Sequence, residues 1–370
     1  MKEKYKMELY TRNDFMGPQY VCFPIVVLMS EKNLHNWYYM NYMLPVIRLN
    51  GPSCLSCNII DSFEYGSNSN IYNKILRINS INIAFCEQIK DINKVITNEI
   101  ADEYYCVLFL DSYDLRIFSD CFHQRHSVHE VLFYGYDNIL KIYNCYGYVG
   151  NSYQCFELSY NEVELSFLNA LKYIWETSGW HEYMFMTMDI VAHNKKYPYT
   201  NYYFIKKLKQ YLQGEISSYM YYENRYYMME SKDSRIAFGI KAINLVLEYL
   251  ELLRIMVRDG SIYEKFVSQQ SPFNMLWSIY EGMTKRLQYF AKWNGWENEL
   301  EQQIIDYKEK VARRSEIARM LYIKLSCKIK MNYNLESVLD SLVDNLVQIR
   351  NQEKEILTEY LNKVLNLDMH

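Results

Sequence analysis

Val128-His129-Glu130-Val131-Leu132-Phe133-Tyr134-Gly135-Tyr136-Asp137 reads as a β-strand that opens at His129 and closes in a turn. The bulky apolar run from Val131 to Tyr134 is too short for a buried helix, and Gly135 with Asp137 supplies the turn chemistry. Working outward, Leu140 to Asn144 reads as the next strand, Tyr105 to Leu110 as the preceding one and Ile81 to Phe85 as an earlier one. Turn signals at Asn50-Gly51-Pro52-Ser53 and Gly66-Ser67-Asn68-Ser69-Asn70 punctuate this part of the chain.

Beyond about residue 160 the pattern becomes helical. A helix is expected from Asn161 to Trp175, opened by a Ser159-to-Glu162 capping box. Further helices are expected at Asn201 to Leu212, stopped by Gly214, at Ile236 to Val257 and at Pro272 to Trp293. Leu300 to Lys330 and Leu335 to Leu365 read as an antiparallel pair joined at residues 331–334. The expected fold is therefore α+β, with a catalytic core over residues 1–160 and a helical cap over 161–370.

The last two helices differ in charge. Ile304 to Lys330 carries eight Lys or Arg against three Asp or Glu, and Met331 to His370 three against seven. Packing together would neutralise them. Alternatively Arg313, Arg314 and Arg319, with Lys324 and Lys328, would offer a basic face to an acidic partner.

Composition removes several classes. The chain has 370 residues and a net charge of -4, with pI near 6.0, which argues against a basic nucleic-acid-binding surface. Twelve Gly and six Pro are too few for a linker-rich or collagen-like chain. No phosphate-cradling glycine loop, Gly-x-Ser-x-Gly elbow or His-Glu-x-x-His motif occurs. Tyrosine is in excess, at 38 residues. Codon bias accounts for such an excess; a cleft lined by rings with a polar handle also would.

The amino-terminal residues lack the apolar stretch of a signal peptide. Val21 to Met29 is too short to span a bilayer, and Ile236 to Val257 carries Lys241, Glu248, Glu251 and Arg254. A cytoplasmic protein with reduced thiols is expected. The nine cysteines are an odd set, and Cys54-x-x-Cys57 lacks a second pair at zinc spacing.

His123-x-x-His126-x-x-His129 is the densest cluster of chemistry. On a helix the three rings would share one side and invite a metal, but the strand starting at His129 argues against that. A histidine at the head of a buried strand suits a papain-like cysteine enzyme. There an imidazole faces a thiol at a helix amino terminus, and a residue on the next strand orients the ring. Cys22, His129 and Asn144 occur in that order, with Asp137 as the alternative orienter and His126 as the alternative base. Gln19 lies too close to Cys22 for the usual oxyanion-hole glutamine, so the Cys22 amide is the expected donor.

Asn144-Cys145-Tyr146-Gly147 resembles the Asn-Ser-Trp-Gly of papain. A wider resemblance is to the papain-fold acyltransferases of the butirosin biosynthesis protein H type. It rests on Cys22 with Trp37-Tyr38-Tyr39-Met40-Asn41-Tyr42, on Asp111-Ser112-Tyr113-Asp114-Leu115, and on His126-Ser127-Val128-His129 with Phe133-Tyr134-Gly135-Tyr136-Asp137. Pro272-Phe273-Asn274-Met275-Leu276-Trp277 and Met283-Thr284-Lys285-Arg286-Leu287 extend it into the helical half. The resemblance implies amide formation, with an acyl chain moving from a carrier-protein thioester through Cys22 to an amine or diamine. The acyl donor would arrive on a phosphopantetheine arm, with no bound cofactor, metal, membrane or nucleic acid. His129 would manage the protons and Asn144 hold its tautomer. Asp111, Tyr20 and Tyr136 would bind substrate, and the arginines would dock the carrier protein. Tyr20, Tyr134, Tyr136, Tyr143 and Tyr146 would line an acyl channel.

Overall fold

The computed structural model describes residues 2–11, 17, 19–41, 45–50, 54–59, 75–150, 152–177, 183–191, 200–214, 234–266, 270–330 and 335–369. The turn signals around residues 51–53 and 66–70 and the joint at 331–334 lie outside them. The strands are β1 (Lys4–Lys6), β2 (Pro45–Asn50), β3 (Cys54–Ile59), β4 (Leu76–Asn82), β5 (Tyr105–Asp111), β6 (Val128–Asp137), β7 (Ile142–Val149), β8 (Ser152–Ser159), β9 (Tyr183–Ile190) and β10 (Ser234–Phe238). The longer helices are α1 (Gln19–Ser30), α2 (His35–Asn41), α3 (Ile92–Ala101), α4 (Tyr160–Thr177), α5 (Asn201–Gln213), α6 (Ala242–Arg258), α7 (Gln270–Asn294), α8 (Glu297–Tyr307), α9 (Arg313–Lys330) and α10 (Glu336–Asp368).

The chain is mixed α+β with a helical carboxy-terminal region, and it divides into two units. One holds residues 1–13, 19–35 and 63–196; the other holds 14–18, 36–62 and 197–370. The expected boundary at residue 160 is thus corrected. α4 and β9 belong with the first unit, and β2 and β3 belong with the second, because each is hydrogen-bonded or packed there.

The first unit is an antiparallel sheet in the order β4-β9-β5-β6-β7-β8, with β1 on β6. Facing residues alternate between its two sides. Leu132 faces Tyr146, Tyr146 faces Cys155, and Tyr148 faces Tyr153. Those side chains share one face with Glu130. The Phe23 ring meets Tyr146 and Tyr153 edge-on, each at 6.3 Å, so α1 covers this face. All nine residues from Val21 to Met29 are buried, as befits a helix apolar on every side. The other face carries Phe133 and Tyr143, whose hydroxyl bonds to Asn93 of α3. The capping box at the start of α4 forms as expected, with Ser159 N–H and Oγ donating to Glu162 at 2.9 and 2.7 Å.

Gly135 is required by close approach. A Cβ there would lie 2.8 Å from Asn144 Oδ1 and 3.0 Å from the Tyr5 carbonyl oxygen. Gly135→Ala should destabilise the unit by about 2 kcal/mol through overpacking, measurable as a lowered denaturant midpoint.

The second unit joins a three-stranded antiparallel sheet, order β10-β2-β3, to the helices α5 to α10. The expected helix from Ile236 begins instead as β10, which pairs with β2. Gly239 then breaks the chain at φ 53°, where a Cβ would collide with the Tyr211 carbonyl oxygen at 2.3 Å. Leu300 to Lys330 is likewise two helices, separated by a π-helical turn at Lys308–Ala312. Ile81 to Phe85 is the end of β4 followed by one helical turn capped by Asn82. No helix among the described residues is long and apolar enough to cross a membrane.

Candidate functional site

Cys22 is the fourth residue of α1 and is 2% exposed. Its Sγ receives the hydroxyl of Tyr153 from β8, and burial followed by this contact drives the Tyr153 pKa well above its ordinary value. Glu130, on the same face two strands away, interacts with Tyr153 electrostatically. Glu130 is only half-buried at its surface, yet the protein packed around its carboxyl group pushes the pKa up to about 7. Gln19, one turn ahead of Cys22, donates its side-chain amide to the Glu130 carbonyl at 2.6 Å. It is therefore engaged with the sheet and is not held as an oxyanion donor.

The expected Cys22, His129 and Asn144 triad is not brought together. His129 neighbours Glu130 along β6, so its ring leaves by the face opposite α1. There Nε2 shares a hydrogen bond with Ser127 Oγ at 2.8 Å. Desolvation and then the Arg125 guanidinium lower its pKa. Asn144 fails as the orienter for a reason of register. It faces Gly135 across the hairpin, six residues from His129, or about 20 Å of extended strand. Asn144 Nδ2 instead lies 3.5 Å from Glu157. Asp137 is farther along, and its Oδ1 accepts the Ile139 and Leu140 amides at 2.9 Å each. It builds the hairpin turn. Asn144→Ala is expected to leave any activity within about twofold of wild type, whereas removing a true orienting residue costs about 10⁴-fold; a rate assay separates these.

His126, and not His129, is the imidazole paired with a carboxylate. Its Nδ1 lies 2.5 Å from Asp111 Oδ2, and its ring stacks on Tyr173 at 3.6 Å and Tyr113 at 4.4 Å between centroids. Asp111 ends β5 and is fully buried. Its Oδ1 accepts the backbone amides of Tyr113 at 3.1 Å and Ser127 at 2.9 Å. The expectation that Asp111 binds substrate is corrected: its oxygens are taken by the protein, and it positions His126. His123 sits in a turn with φ 53° and stacks on Tyr113, so the three histidines do not line one side of a helix.

The remaining expected residues divide. Tyr20 is half-buried on α1. Tyr136, Tyr143 and Tyr146 are core rings, each 2% exposed or less, so the expected use of Tyr136 in binding substrate is also corrected. Arg313, Arg314 and Arg319 do not make one basic face, because at about 100° per residue they leave α9 in three directions. Arg313 pairs with Glu309 at 3.2 Å. Arg319 donates to Asn274 at 2.7 Å and lies over the Trp277 ring.

In comparisons with known proteins, no family model and no curated protein matches the chain.

Proposed function

We propose that the chain is an amide-forming acyltransferase. An acyl chain passes from a carrier-protein thioester to the Cys22 thiol and then to an amine or diamine. The observation that supports this most is the setting of Cys22: a thiol in the first turns of a buried helix, laid on an antiparallel sheet and meeting a sheet hydroxyl at Tyr153. A papain-like core presents its nucleophile in this way.

Exchange of one thioester for another is nearly isoenergetic, so Cys22 can be loaded reversibly. The buried surroundings of the thiol favour aminolysis over hydrolysis by excluding water. Incubation with an acyl-loaded carrier protein should add the acyl mass to the Cys22 peptide, and adding an amine should release it as amide. Free acid as the dominant product would instead make the protein a thioesterase or peptidase.

The 2% exposure of Cys22 favours one second reading, a docking protein for the carrier with an inert thiol. Tight carrier binding without iodoacetamide labelling of Cys22 would establish it.

A further inference from the structure

We propose that Arg286 is the anion-binding end of a site for an apolar monocarboxylic acid in the second unit. The site uses none of the residues around Cys22, and its assignment does not depend on the acyl-transfer reading.

Arg286 lies in the second half of α7 and is 3% exposed. Its guanidinium rests on the Tyr38 ring of α2, 5.0 Å from the centroid. Among the described residues, its Nε is buried without a hydrogen-bond partner and no acidic side chain pairs with the guanidinium. A guanidinium stays protonated in a protein, so it cannot escape burial by losing its charge. The Tyr38 ring supplies part of the compensation, but it covers a face of the guanidinium and leaves the N–H edge unfilled. A buried charge without a counter-ion is costly, and an anion seated on that edge relieves the cost.

Gly282, one turn ahead, sets which edge is presented. A Cβ there would lie 2.6 Å from Arg286 Nη1, so this glycine lets the guanidinium fold back against its own helix. Nη1 is the nitrogen on the Cδ side, so Nε and Nη2 make up the opposite edge. Their parallel N–H bonds match the two oxygens of a carboxylate. Charge and shape select that class. One guanidinium neutralises one carboxylate, whereas a phosphate monoester would leave surplus negative charge in a buried site. A phosphodiester carries a single charge, but its ester arms leave the plane of the fork, which Tyr38 covers on one side. A carboxylate stays in that plane.

Rings lead from this fork to the surface. Tyr38 meets Tyr39 edge-on at 5.2 Å, Tyr39 stacks on Tyr289 at 4.3 Å, and Tyr289 stacks on Trp293 at 6.4 Å. The Tyr289 hydroxyl donates to Asn36, which ties the series to α2. Arg286, Tyr289 and Trp293 follow one another at spacings of three and four, on one side of α7. Exposure rises along the series, from 5% at Tyr38 to 53% at Trp293. An acid held by the fork would lay its body along these rings, which offer apolar surface and no opposing charge.

The test is calorimetric titration of the full chain with hexanoate. Binding should be saturable and one to one, with Kd of about 1 mM or tighter. Hexanamide keeps the hydrocarbon chain and lacks the charge, and it should bind about 10- to 100-fold more weakly. Hexanoate should lose as much affinity for Arg286→Met, whose thermal melting checks that it folds. Gly282→Ala keeps the charge but drives Nη1 from its place. The atom it meets is the far end of a flexible side chain, so this variant should fold and bind hexanoate about 10-fold more weakly. No saturable binding of hexanoate to wild type overturns the site. So does equal binding of hexanamide, or undiminished binding of hexanoate to folded Arg286→Met or Gly282→Ala. Tighter binding of diethyl phosphate than of hexanoate overturns the carboxylate assignment.

Discussion

Cys22→Ala is expected to gain no acyl mass and to lose amide formation by about 10⁴-fold or more, as removal of a covalent nucleophile does. The loss should be chemical and not structural. Cys22 lies inside a continuous buried run, and deleting one sulfur atom from such a site costs about 1 kcal/mol through the small cavity left. The variant should therefore keep the circular dichroism of wild type. Cys22→Ser separates two roles of the side chain. Its hydroxyl can still accept from Tyr153, but an alcohol is a far weaker nucleophile than a thiolate at neutral pH. A serine variant as inactive as the alanine variant assigns the effect to nucleophilicity. An alanine variant that still gains acyl mass and still makes amide removes Cys22 from the mechanism.

The local features of the fold were legible because local chemistry determines them. The strand at residues 128–137, the Ser159–Glu162 box and the Gly214 stop each depend on residues within a few positions. The pairing of β10 with β2 depends on segments far apart in the chain, and no pattern within Ile236 to Val257 reports it. An apolar run of that kind reads equally as strand or helix, and only Gly239 hints at the break.

The site was half legible for a different reason. Fifteen residues separate His129 from Asn144 in sequence, which papain-like order turned into an expected contact. A hairpin imposes its own rule, however. As one strand runs forward its partner runs back, so a residue near the head of β6 faces the tail of β7. With Gly135 facing Asn144, His129 belongs opposite the end of β7. Gly135 and Asp137, read as part of a functional motif, have complete structural explanations in close approach and turn formation. Asp111 and His126 were visible as residues, but their partnership required the β5–β6 register.

Glu353 should make the helical unit less stable as the solution is raised from mildly acidic to neutral pH. The residue lies on α10 and is fully buried. Its Oε1 accepts the hydroxyls of Tyr211 from α5 and of Tyr307, at 3.1 Å, from the end of α8. Its Oε2 is buried with no hydrogen-bond partner among the described residues. Among the described residues no cation offsets a negative charge there, and burial raises the pKa from 4.5 to about 7. Below pH 4.5 the carboxyl is protonated whether the chain is folded or unfolded. Between 4.5 and 7 the unfolded chain loses the proton and the native state keeps it. Stability therefore falls across that window and levels off above it, by about 3 kcal/mol in all. Glu353→Gln keeps an oxygen for both tyrosines and cannot ionise, but its amide N–H groups meet an unpartnered site, at a cost of about 1–3 kcal/mol. The two stability curves should converge or cross as pH rises: the variant weaker near pH 5, and equal to or stronger than wild type at pH 8. Urea midpoints followed at 222 nm across pH 5–8 measure this. A Gln variant that retains the wild-type pH slope would show that Glu353 is not the group responsible. Glu353→Leu leaves two buried tyrosine hydroxyls without an acceptor and should be less stable than wild type at every pH.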